Sequence, residues 1–270
     1  MKFTDLAKPE AWQEFRNNGF LRISNIIDPK KVEDLRTEAY RVFRRHSLID
    51  KRSYRTAGRT GFTPAGIEGM RPDNGRQFWD VHVDTKPEEM ACSHSLELVR
   101  RMSHVVLELS VIMSGVFYYM DRGLGPIANG LHRVMVKGNH GLRALHYPIV
   151  TEPRENLLFQ PHRDFSLATV FVGGAETGLQ VERSQAWHTL ENPLGDIVII
   201  AGRMLRYWTG GIKNPKRISG TRHRVLHMPV ERMSLSLFTE PESTSVLPNS
   251  DGITAGEYIR RFVAATRAPK

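Results

Sequence analysis

The chain has 270 residues, is 40% hydrophobic and carries a formal net charge of +9. That length supports a sizeable core in one or two domains, and the single cysteine, Cys92, excludes an internal disulfide framework and a cysteine-built zinc site. No run reaches the roughly 18 apolar residues of a membrane span, and the opening "MKFTDLAKPEAWQEF" is charged throughout, so a soluble, cytoplasmic protein with no signal peptide and no membrane partner is expected.

The first fifty residues read as helix, strand, helix. "GFLRIS" (19–24) alternates apolar and polar residues like a strand. Asp28 and Pro29 then supply an N-cap and first-turn proline, and Val32, Leu35, Ala39 and Val42 repeat at helical spacing. Residues 51–80, rich in Gly, Pro and Arg, read as a long irregular segment. A long apolar helix is expected from Leu96 to Met120. After residue 140 the pattern changes to short β-type runs: "LRALHYPIV", "SLATVFVG", "GLQVER", "DIVIIAG", "HRVLHMPV" and "RMSLSLFTE". Strands at this spacing without intervening helices predict an antiparallel sandwich or barrel. The tail 254–270 reads as a helix. No linker interrupts the chain, so one domain is expected, with 1–135 helical and irregular, 140–240 the β core and 254–270 a closing helix.

The basic residues are scattered along the chain, from Lys30 and Lys31 to the stretch Lys213–Arg224. A nucleic-acid face gathers them, so a solvated positive surface is the expectation, with no nucleic-acid partner. The charge tilts the expected substrate toward an anionic small molecule.

"QPHRDFSLATV" (160–170) sets His162 and Asp164 two residues apart at the head of an apolar run. On a strand such residues face the same way. They are two members of a 2-His-1-carboxylate set, the ligands of non-haem Fe(II) oxygenases. A second His-x-Asp, His82 and Asp84 in "DVHVDT", shows that the dipeptide spacing is weak evidence alone. Its nearest following histidine, His94, is too close to leave room for the strands of a barrel. The copy at 162 has His223 downstream in "GTRHRVLHMP", with three strand-like runs between. Then come Arg232 and Ser234, again two apart, a guanidinium fork and a hydroxyl suited to a carboxylate. His227 and His188 read as packing or strand-edge residues, and His146 faces away from Tyr147.

Together, "HRD…GLQVER…W…GDIVIIAGRMLRYWTGG…HRV…RMSLSLF" resembles the isopenicillin-N-synthase-like branch of the Fe(II)/2-oxoglutarate-dependent oxygenases. "LRALHYP" resembles that family's R-x-N-x-Y-P element. The resemblance covers about residues 140–240. It implies a mainly β fold, a double-stranded β-helix (jelly-roll) core flanked by N- and C-terminal helices. It implies Fe(II) on His162, Asp164 and His223, and 2-oxoglutarate held by Arg232 and Ser234 with Tyr147 nearby. The implied reaction consumes O2 and 2-oxoglutarate, releases succinate and CO2, and oxidises an unactivated C–H of a small molecule, by default to the alcohol, with desaturation or ring closure open at the same site. Leu145 and Arg203 depart from the family pattern, and 212–222 is longer than usual. Asp164 speaks against halogenation, since halogenases of this kind carry a small residue there. Two rivals are a same-fold oxidase that needs no 2-oxoglutarate and a non-enzymatic jelly-roll binding protein. The segments 52–83 and 212–222 are expected to border the site as lids.

Overall fold

A computed structural model of the chain describes residues 1–55, 60–67, 75–124, 130–149, 157–175, 178–211, 213–214 and 217–267. Helix α1 (Pro9–Asn18) ends at Gly19, whose φ of 75° turns the chain into strand β1 (Phe20–Ile23). Helix α2 (Pro29–Phe43) starts as its sequence predicts: the Asp28 carboxylate accepts the Lys30 N–H at 2.9 Å, a cap worth about 1 kcal/mol. Strands β2 (Gly61–Thr63) and β3 (Gln77–His82) precede the short α3 (Pro87–Met90), the long α4 (Leu96–Gly123) and α5 (Leu131–Val136). The β-rich region follows as β4 (Gly141–Tyr147), β5 (Leu157–His162), β6 (Ala168–Val172), β7 (Leu179–Arg183), β8 (Ala186–Thr189) and β9 (Ile197–Ala201). Helix α6 (Leu205–Trp208), β10 (His223–Leu226), β11 (Arg232–Thr239) and α7 (Ala255–Arg267) complete the chain.

The strands form two antiparallel sheets, one in the order β1-β9-β6-β11-β4-β3-β2 and one in the order β5-β10-β7-β8. This is the jelly-roll sandwich with flanking helices that the sequence led us to expect. The larger sheet sorts its residues by strand parity. Met233, Leu235 and Leu237 of β11, with Leu142 and Ala144 of β4, join a core that includes Val105, Leu109 and Met113 of α4. Their neighbours Arg232, Ser234, Ser236, Arg143 and Tyr147 lie on the opposite, inner face. Helix α4 is long and apolar enough to cross a membrane by composition alone. Here ten of its residues are buried in the protein core.

Residues 51–80 are not simply irregular. Gln77–His82 is an interior strand of the larger sheet, next to its edge, paired with β2 on one side and β4 on the other. Gln77 to Val81 are all buried, so no polar–apolar alternation marks the strand. The N-terminal region, residues 1–135, also gives β1 and β2 to the same sheet, so the β core extends beyond 140–240. β5 carries Pro161, which disguises it as a loop, and β8 is short and largely exposed. The expected lid 52–83 is thereby reduced, since β2 and β3 are buried strands. Residues 56–59, 68–74, 212 and 215–216 of the two expected lids lie outside the described residues.

Candidate metal centre

β5 and β10 are antiparallel neighbours, and their register sets His162 directly opposite His223. This pairing brings together two histidines 61 residues apart in sequence. Asp164 lies just beyond the end of β5, so strand alternation does not aim it, contrary to the expectation from its spacing. The loop does: the Arg203 N–H donates to the Asp164 carbonyl at 2.8 Å, and the Thr169 hydroxyl donates to Asp164 Oδ2 at 2.6 Å. Gly202 permits this approach, because a Cβ there would fall 1.9 Å from the Ser166 carbonyl oxygen. Ligand atoms of His162, Asp164 and His223 all lie within 4.8 Å of one another.

The two imidazoles are held in one tautomer. His162 Nδ1 is 2.8 Å from the Gln160 carbonyl and His223 Nδ1 is 3.2 Å from the Thr221 carbonyl. A carbonyl only accepts, so both Nδ1 atoms carry a proton, and in the neutral ring each Nε2 presents a lone pair. Those lone pairs face Asp164, at 3.5 Å for His162 and 3.6 Å for His223. Two lone pairs against a carboxylate satisfy nothing by themselves, whereas a divalent cation between them satisfies all three. The donor set therefore fits Fe(II).

Protonation agrees with that fit. Burial works to raise the Asp164 carboxyl, but the positive charge that His223 and His162 bring when protonated, with the Thr169 hydroxyl bond, outweighs it and holds it far below the usual carboxylate range, and a cation between the three supplies the same positive charge. Burial lowers the His223 imidazole, more than the facing carboxylate raises it. The site thus stands ready as one anion and a neutral, lone-pair-bearing His223.

Arg232 and Ser234 share the inner face of β11 and are 2% and 4% exposed. Tyr147 is opposite Arg232 on β4, and the guanidinium carbon lies 5.4 Å from its ring centroid. Ser236, farther along the same face, is opposite Phe171, whose ring lies 5.8 Å from that of His223. Arg232, Ser234 and Tyr147 thus share the face of the sheet that continues through Ser236 to Phe171 beside His223. Leu145 is opposite Ser234 and sets an apolar side chain on the same face.

The other candidates fall away from the centre. His82 ends β3 opposite Gly141, and Asp84 sits in the turn that follows. Among the described residues, His162, Asp164 and His223 are the one group of three disposed to hold a metal. His188 is exposed on β8, and His227 lies past the end of β10. His146 faces the helices, where its Nε2 meets the Glu231 carboxylate at 2.7 Å. Thr169, Ser166 and Gly202 escaped the sequence reading. Their types are common in strands and turns, and only the fold brings them to Asp164.

Residues 138–241 match the family model of the 2OG-Fe(II) oxygenase superfamily. The isopenicillin N synthase of Streptomyces microflavus is 30% identical over 115 residues, which are 38% of this chain and 33% of that protein. The 2-oxoglutarate-dependent dioxygenase 11 of Oryza sativa subsp. japonica is 23% identical over 152 residues, 55% of this chain and 41% of that one. The chain thus spans about a third to two-fifths of the length of the curated relatives it matches. Its fold is similar to that of a full-length Neurospora crassa protein crystallised in complex with alpha-KG, at a TM-score of 0.81 and 19% identity over 98% of this chain and 95% of that one. The matched residues 138–241 carry all three candidate metal ligands, so the likeness to the 2OG-Fe(II) oxygenase superfamily falls on the part of the chain that holds the site.

Proposed function

We propose that this protein is a soluble, cytoplasmic Fe(II)- and 2-oxoglutarate-dependent oxygenase that hydroxylates an unactivated C–H of a small, anionic molecule. The observation that carries the proposal is the cluster of His162, Asp164 and His223, with the Nε2 lone pair of each histidine aimed at an ionised carboxylate. These three would hold the iron. Bound there, the metal supplies oxygen activation coupled to the oxidative decarboxylation of 2-oxoglutarate. The reaction balances as substrate C–H, O2 and 2-oxoglutarate to alcohol, succinate and CO2, with one oxygen atom in the alcohol and one in succinate.

The protein's own residues would bind and orient the reactants. The Arg232 fork and the Ser234 hydroxyl suit the distal carboxylate of 2-oxoglutarate, and both are buried, so that contact is dry and strong. Tyr147 packs beside Arg232 and limits how that carboxylate can sit. The Thr169 hydroxyl and the Gln160 and Thr221 carbonyls fix the three ligands before any metal arrives. The charge of +9 supports an anionic substrate.

The 30% identity to an isopenicillin N synthase favours one second reading, an oxidase without 2-oxoglutarate in which Arg232 and Ser234 hold a substrate carboxylate. Anaerobic purification followed by Fe(II) titration tests the metal assignment. The wild type should bind stoichiometric Fe(II), His162→Ala and His223→Ala should lose it together with turnover, and His82→Ala should keep it. Full iron occupancy in both triad variants would refute the assignment. Succinate formation that tracks O2 uptake supports the oxygenase, and O2 uptake without succinate supports the oxidase.

A further inference from the structure

The inner face of the larger sheet carries charged residues that the metal centre does not use. Asp80 on β3 is opposite Arg143 on β4, which donates to it through Nε at 2.7 Å and Nη2 at 2.9 Å. Arg55 adds a third contact, Nε to Oδ2 at 3.1 Å. Both guanidiniums lie over the buried Phe78 ring, at 3.7 Å for Arg143 and 5.6 Å for Arg55. Burial works against ionised Asp80, but the arginines outweigh it and hold its carboxyl below the usual value. Glu240, the residue after β11, is the opposite case. Burial first and the charge of Asp80 second raise its carboxyl to about 8, so at neutral pH it is an O–H donor.

Strand register sets this group beside the triad. Arg143 is opposite Ser236, Ser236 is opposite Phe171, and the Phe171 ring is 5.8 Å from that of His223. The Arg143 guanidinium also lies 5.3 Å from the Phe238 ring. Phe238 stacks on Phe165 with their planes 6° apart, and Phe165 follows Asp164. Both rings are partly exposed. The Phe165–Phe238 pair thus links the residue after Asp164 to the Arg143 guanidinium. There the charge of Asp80 is already engaged by two guanidiniums, and Glu240 is neutral. Among the described residues, that wall presents cationic and O–H donors, and a carboxylate is the group that such donors bind most strongly. A ligand cation would meet two guanidiniums.

We propose that Arg143, held in place by Asp80, binds a carboxylate of the oxidised substrate, so that this enzyme acts on a small carboxylic acid at a carbon remote from its acid group. The proposal rests on the oxygenase reading above and deepens it. It also gives two arginines separate roles, Arg232 for 2-oxoglutarate and Arg143 for the substrate.

The test uses full-length protein loaded with Fe(II) and 2-oxoglutarate. A panel of aryl, alkyl and cyclic monocarboxylates is compared with the matching primary amides. Two readouts are taken, thermal stabilisation for binding and succinate formation for turnover. At least one acid should bind and stimulate succinate formation where its amide does neither. In Arg143→Gln the KM for that acid should rise by about thirtyfold or more, with the KM for 2-oxoglutarate and Fe(II) binding unchanged. Because that variant leaves Asp80 facing Arg55 alone, the charge-balanced double variant Asp80→Asn/Arg143→Gln is the companion and should lose the acid in the same way. The proposal is overturned if amides match their acids, if no acid binds, or if Arg143→Gln instead raises the KM for 2-oxoglutarate. Failure of the oxygenase reading looks different: no condition then yields succinate, while discrimination of acid from amide in thermal stabilisation still reports on Arg143.

Discussion

Glu240 makes a quantitative statement about stability and pH. Its carboxyl is raised from an ordinary value of 4.5 to about 8, first by burial and then by the nearby charge of Asp80. The folded chain therefore keeps a proton that the unfolded chain sheds above its ordinary value. Folding is favoured by the full amount below 4.5, and that contribution is lost progressively as pH rises toward 8. From 4.5 to neutral pH the gap is about 2.5 pH units at roughly 1.4 kcal/mol each, or about 3 kcal/mol of stability. Glu240→Gln removes the titration with little change in shape. Urea unfolding of both proteins at a series of pH values between 5 and 8 isolates the residue, because every other titrating group cancels in the difference. The wild-type stability should fall relative to the variant by about 3 kcal/mol between pH 5 and pH 7.5. Parallel curves would refute the reasoning and show that Glu240 ionises freely in the folded protein.

Arg232→Ala should raise the KM for 2-oxoglutarate by well over tenfold, since truncating one partner of a buried charged contact costs about 2–5 kcal/mol. Ser234→Ala should raise it less, and no effect of either would favour the oxidase reading. Thr169→Val removes the hydroxyl donor to Asp164 and should weaken Fe(II) binding by roughly 10–100-fold, as read by anaerobic titration, with the fold intact by circular dichroism. Gly202→Ala sets a methyl against the Ser166 carbonyl, displaces the Arg203 N–H from Asp164, and should reduce iron affinity more than it lowers the melting temperature.

Some of this protein was written in local sequence. The Asp28 cap, the helical repeat from Val32 to Val42 and the alternation in β11 are set by neighbours along the chain, and all are present in the fold. The candidate metal ligands could be picked out because their residue types are rare in combination and their order resembles that of a known family. Their geometry was less legible. Asp164 is aimed by a loop bonded to Arg203 and Thr169, and His223 reaches His162 through the pairing of β5 with β10. Strand β3 was hidden because burial on both faces erases alternation.

The Arg143, Asp80 and Glu240 group could be found only in the folded chain. In sequence each is one more charged residue on a basic chain, indistinguishable from a solvated one. Register between β3, β4 and β11 sets two of them in contact, brings the third beside them and buries Asp80 between its partners. The sequence by itself determined which candidate ligands the chain offers and most of the strands and helices of the fold. Tertiary structure alone decided which charges meet on the larger sheet and which of them stay ionised, because desolvation and long-range pairing are properties of the packed molecule.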